Sequence, residues 1–142
     1  MRLLTKLVFL SAVAWAPVGY AGHNAASLPA GAKIYIAPME WQMDQLLASE
    51  IRRQAVPVKL VENQEDAEYV LSGEAVKLSS HLMSPGRCFQ VRLAAADGSR
   101  TVWSGEADDY ATVFARLRSH GPVRAARTLV GGLRRRFFKK PR

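Results

Sequence analysis

The chain has 142 residues, 49% of them apolar and 23% charged, with a formal net charge of +8. That length holds one domain able to bury a core of its own, and the composition excludes disordered and fibrous classes. Three histidines, His23, His81 and His120, and a lone cysteine, Cys88, share no metal-ligand spacing, so no metal or other cofactor is expected.

Residues 1–21 read as a secretory signal peptide. Arg2 and Lys6 form a positive start, Leu7 to Trp15 an apolar stretch, and Gly19-Tyr20-Ala21 places small residues at the cleavage positions. The apolar stretch falls short of the about 20 residues of a comfortable membrane span, although an uncleaved anchor stays open as the alternative. No cysteine lies near the cleavage point to accept a lipid. The expected location is periplasmic or secreted. There, a single cysteine can form no internal disulfide, and Cys88 is expected as a buried thiol behaving as a small hydrophobe. An intermolecular disulfide or a reactive thiol is the other possibility.

Residues 22–32 are small and polar, a flexible leader, and one α/β domain is expected over 33–138. Lys33 to Ala37 is β-rich and stops at Pro38, a first strand. Met43, Leu46, Leu47 and Ile51 recur at helical spacing within Gln42 to Gln54. Val58 to Val61 reads as a second strand. Tyr69 begins a third that runs to Leu78, where Tyr69 and Leu71 share one phase and Val76 and Leu78 the other, so a bulge is expected at Gly73. Phe89, Val91 and Leu93 alternate with polar neighbours in a fourth strand. Asp97-Gly98 signals a hairpin into a fifth strand at Val102 to Gly105. Residues 110–119 fit a helix or a structured loop equally. Pro122 suits a helix start, and Val123, Ala126, Leu129, Val130, Leu133 and Phe137 trace one apolar stripe beyond it. The order β-α-β-β-β-β-α predicts a two-layer α+β domain: a mixed sheet, parallel at the crossover and antiparallel at the later hairpins, with the helices on one face.

The runs Lys33-Ile34-Tyr35-Ile36-Ala37-Pro38-Met39, Val56-Pro57-Val58-Lys59-Leu60-Val61 and Ala67-Glu68-Tyr69-Val70-Leu71-Ser72-Gly73 resemble a bacterial envelope group. It contains the amino-terminal domain of TolB, CsgG, LpoB and PelC, whose corresponding strand reads A-D-Y-V-L-x-G. The similarity covers residues 33–78 by motif and the remainder by element order. It implies the same α/β fold and a largely non-enzymatic role. The acylated cysteine common in several of those proteins has no counterpart here.

Charge marks the main candidate site. From Gly22 to Leu133 twelve basic residues balance twelve acidic ones, whereas residues 134–142 hold Arg134, Arg135, Arg136, Lys139, Lys140 and Arg142 with no acid. With Phe137 and Phe138 among them, this basic tail suits an anionic lipid surface or acidic polymers of the envelope, and the expected partner is an envelope protein or an anionic envelope surface. Phe138 is expected to point away from the helix's apolar stripe, toward the ligand. Nucleic acid would answer to the same charge, but export removes the opportunity. The plain alternative is a solvated helix end whose cations complement the helix dipole. Trp41, after the first strand, is a second candidate for partner binding; for it and for Trp103 core packing is the alternative. Asp108-Asp109 reads as a capping or solvated pair. A different class of function, a small hydrolase, would use His81 with Cys88 or a loop serine, seven residues apart in a loop that lacks any nucleophile motif.

Overall fold

A computed structural model describes residues 27–78, 86–109 and 121–138. Strand β1 (Lys33–Ile36) leads through a short 3-10 turn at Glu40–Gln42 into helix α1 (Met43–Arg53). Strands β2 (Lys59–Val61), β3 (Tyr69–Leu78), β4 (Gly86–Ala95) and β5 (Thr101–Asp108) follow, and helix α2 (Gly121–Phe137) comes last. The sheet order is β2-β1-β3-β4-β5. β1 pairs parallel with both β2 and β3, as a crossover helix requires, while β3-β4 and β4-β5 are antiparallel. This is the expected two-layer α+β arrangement.

The core lies between the sheet and the two helices. Ile34, Leu71, Phe89, Val91 and Leu93 project from the sheet to meet Leu47, Ile51, Ala126, Leu129 and Leu133 from the helices. Fully burying a side chain of this size stabilises by about 1.5–3 kcal/mol, so this layer holds the domain together without a disulfide. Asp97-Gly98 makes the hairpin: Gly98 adopts φ 73°, and the Asp97 carboxylate accepts the Ser99 N–H at 2.9 Å. Trp103 is half-buried against the core. Residues 110–119 lie outside the described residues.

The bulge expected at Gly73 is not there. The β3-β4 register runs unbroken from Tyr69↔Ala95 to Leu78↔Gly86, and the one irregularity falls at Leu93/Ala94, beside the hairpin. Alternation therefore continues along β3, which sends Val76 to the outer sheet face with 40% of its surface exposed. Gly73 is needed for a different reason. A Cβ there would stand 2.6 Å from the Gln90 carbonyl oxygen and 2.9 Å from Val91 Cγ2.

Candidate surface-binding site

Helix α2 continues into the basic segment, so Arg134, Arg135 and Arg136 belong to its last turn and all three are exposed. Their positive charge faces the helix's negative end, a stabilising placement. The apolar stripe explains the helix: Ala125, Ala126, Leu129, Val130 and Leu133 are buried. Phe137 and Phe138 are both half-buried and both pack against the core. Phe138 thus departs from expectation. The chain leaves helical geometry at this point, and the two rings meet edge to face at 6.4 Å. The Arg136 guanidinium sits 5.8 Å from the Phe137 ring centre. Lys139 and Lys140 lie outside the described residues.

Trp41 belongs to a separate constellation. It is 51% exposed, and with Gln42 it occupies left-handed backbone, φ 60° and φ 55°, which is costly for residues with a Cβ. The Arg87 guanidinium lies 3.5 Å from the centre of its ring. Arg87 is in turn clamped by Asp109, whose carboxylate accepts the Arg87 backbone N–H at 2.7 Å and pairs with its guanidinium at 3.3 Å. Asp109 is therefore a positioning residue that ties the start of β4 to the end of β5 and orients a cation over an aromatic face. A Cβ on Gly121 would be 3.1 Å from Asp109, so α2 starts at this end of the sheet. With a rise of 1.5 Å per residue, Arg134 to Arg136 stand about 20 Å away. Among the described residues the structure does not bring Trp41 together with Arg134 to Arg136.

Cys88 is buried, as expected, but it sits outside the core cluster. It opposes Val76 and Asp108 on the face turned away from the helices. Burial, and then a hydrogen bond and negative charge from Asp108, push its thiol pKa up, which disfavours the thiolate. His81 and the loop serines lie outside the described residues.

The two helices concentrate positive charge, which its order along the chain conceals. On α1 the exposed charged residues are Arg52 and Arg53; Glu50 is buried and Asp44 half-buried. On α2 they are Arg124, Arg127 and Arg134 to Arg136, and the helix has no acid. The outer sheet face is balanced: Glu74, Glu106 and Asp108 are exposed there together with Lys33, Lys59 and Arg92. Glu50 joins the two helices. Its Oε2 accepts from Arg53 Nη2 at 2.6 Å and from Gln54 Nε2 at 3.2 Å, and Arg127 Nε lies 3.8 Å from Oε1. The Arg53 hydrogen bond, with Gln54 and Arg127 in support, holds the Glu50 carboxyl below its ordinary range against the opposing pull of burial. Among the described residues no cluster of ligands could hold a metal, and no helix is long and apolar enough to cross a membrane.

No family model and no curated protein matches the chain in sequence. Solved structures match in fold. The PelC dodecamer from Paraburkholderia phytofirmans aligns at TM-score 0.51 and 19% identity, over 80% of this chain and 93% of that one. TolB from Acinetobacter baumannii aligns at TM-score 0.52 and 11% identity, over 83% of this chain but 31% of TolB. The LpoB C-terminal domain from Salmonella enterica aligns at 0.41 and 13% identity, over 61% and 87%. The chain therefore has the α/β fold seen in PelC and in part of TolB.

Proposed function

We propose that this chain is an exported, non-enzymatic module of the bacterial cell envelope, a binding or assembly accessory that engages an anionic surface through its basic C-terminal segment. The observation that supports this most is the end of α2. Arg134, Arg135 and Arg136 are exposed there, no carboxylate lies on the same helix, and two phenylalanines anchor the turn to the core. Guanidiniums held on a rigid helix suit phosphate and carboxylate, because the planar fork donates two parallel hydrogen bonds. The fold shared with PelC and TolB supports an envelope setting. The signal-like residues 1–21 support export. Trp41, exposed and backed by Arg87, is a second contact for a protein partner, since exposed Trp and Arg are the residues that dominate such interfaces.

Co-sedimentation with phosphatidylglycerol vesicles tests the surface reading. Binding is expected at low salt and should fall steeply as ionic strength rises, because exposed charges are screened within about 8 Å at physiological salt. A triple Arg134→Glu, Arg135→Glu, Arg136→Glu protein should lose it. Equal sedimentation of the triple variant and the parent would reject the reading. Mass spectrometry of the exported protein should find Gly22 at its amino terminus.

A further inference from the structure

We infer that the second half of β3 is a docking edge for an extended segment of a partner protein, one that alternates apolar and basic side chains. The inference rests on the reading of Trp41 as a partner contact and is separate from vesicle binding by the basic segment. β1 is four residues long and pairs with β3 only at Tyr69 to Leu71, its last bond running from the Ala37 N–H to the Leu71 carbonyl at 2.9 Å. Among the described residues β3 continues from Ser72 to Leu78 with a neighbour on its β4 side alone. Backbone groups alternate sides along a strand, so Gly73, Ala75 and Lys77 face the same way as Leu71, away from β4. The Met39 N–H, next in line to reach Gly73, is taken instead by the Asp44 carboxylate at 3.4 Å. Trp41 and Gln42, in left-handed backbone, then turn the chain into α1. Among the described residues no hydrogen bond reaches the Gly73, Ala75 or Lys77 backbone from that side. Sheets ordinarily blunt an open edge with proline, a bulge or an inward-pointing charge, and Gly73 to Val76 has none of these.

The side chains along this edge select the occupant. A strand added here would send its side chains alternately to the two faces of the sheet. On the helix side a shallow crevice between Met39, Met43, Ala75 and Phe89 offers an apolar seat. Glu40 stands on its rim and Glu74 on the outer sheet face, both exposed, so the other side chains meet negative charge. Trp41 marks the far end, because Arg87, which stacks on its ring, lies directly across from Lys77. The edge therefore fits main-chain hydrogen bonds from an extended segment, apolar side chains toward Met39 and Trp41, and a basic side chain beside Glu74. A second copy fits less well. Its β2 is three residues long, and its β5 would set Glu106 and Asp108 beside Glu74.

The test uses the full chain and, as probe, an end-blocked heptapeptide alternating valine and lysine. In the free protein the Gly73, Ala75 and Lys77 amides should exchange rapidly with solvent deuterium, while Glu74 and Val76, which face β4, exchange slowly. Adding the peptide should slow the three rapid amides. The same peptide methylated at every backbone nitrogen keeps its side chains and should bind about tenfold more weakly or worse, since it cannot pair with a strand. A Glu40→Lys, Glu74→Lys protein should also lose about tenfold in affinity for the unmethylated peptide, because two attractions become two repulsions. Its melting temperature should not change, and its vesicle binding should persist, so failure here is distinct from failure of the basic segment. Equal affinity for the methylated peptide, or for the parent and the double variant, would overturn the inference. Amides at Gly73, Ala75 and Lys77 that are already slow in the free protein would overturn it too. Slowness at every protein concentration would mean that the chain covers its own edge, and slowness only at high concentration that a second copy does.

Discussion

Gly73 shows how one missing side chain shapes the central strands. Its neighbours across the β3-β4 ladder approach so closely that any Cβ meets the backbone of Gln90, which cannot rotate away. Gly73→Ala should therefore lower stability by about 1–3 kcal/mol, as for other overpacked sites, read as a lower denaturant midpoint with the slope of the transition unchanged. Glu50 makes a prediction in pH. Its folded pKa is lowered, so its contribution is fully present above the ordinary carboxylate value of 4.5 and is lost as pH falls through the lowered folded value. Glu50→Gln should destabilise at pH 7 by about 1–2 kcal/mol, in line with charge-assisted hydrogen bonds whose partners stay half-exposed, and that difference should vanish in strong acid. Thermal melts of both proteins from pH 7 to pH 2 check it, and a difference independent of pH would rule the carboxylate out as its source.

The end of α1 is closed by its own backbone. Val56 N–H reaches the Ile51 carbonyl and Ala55 N–H reaches that of Arg52, both at 3.1 Å, while Ile51 and Val56 are buried together. This is a glycine-type cap with alanine at the left-handed position, φ 48°. Ala55→Gly should raise stability by about 0.5–1 kcal/mol, because relief of left-handed strain exceeds glycine's added freedom in the unfolded chain. A lowered midpoint would contradict that balance. At the other end of the helical layer, Phe137 and Phe138 make the last turn of α2 structural as well as basic. A chain ending at Phe138 should melt like the parent, whereas one ending at Leu133 should lose about 2–4 kcal/mol from the two vacated ring sites. Periodicity, β-rich composition and turn signals together placed both helices and all five strands. Periodicity misplaced the bulge, because Val76 was read as inward when it lies on the open face, and alternation has no mark for which apolar residues remain uncovered.

Across the whole molecule the two helices expose only arginine charges, whereas the outer sheet face balances Glu74, Glu106 and Asp108 with Lys33, Lys59 and Arg92. The sequence by itself determined the order β-α-β-β-β-β-α, the antiparallel hairpins, the buried stripes and the excess of charge after residue 133. These are local properties: a strand repeats every two residues, a helix every 3.6, and a count of charges needs no coordinates. The tertiary structure decided which charges share a surface. Arg52 and Arg124 are 72 positions apart and fall on one face only because α1 and α2 pack side by side over the sheet. Glu50 reads as one more helix carboxylate until Arg53, Gln54 and Arg127 close around it. Arg87 meets Trp41 because β4 begins where β1 hands over to α1, and Asp109 holds it there because β5 ends alongside. Coulomb and stacking forces act over a few ångströms of space, whereas separation along the chain is blind to them until the fold has brought the groups together.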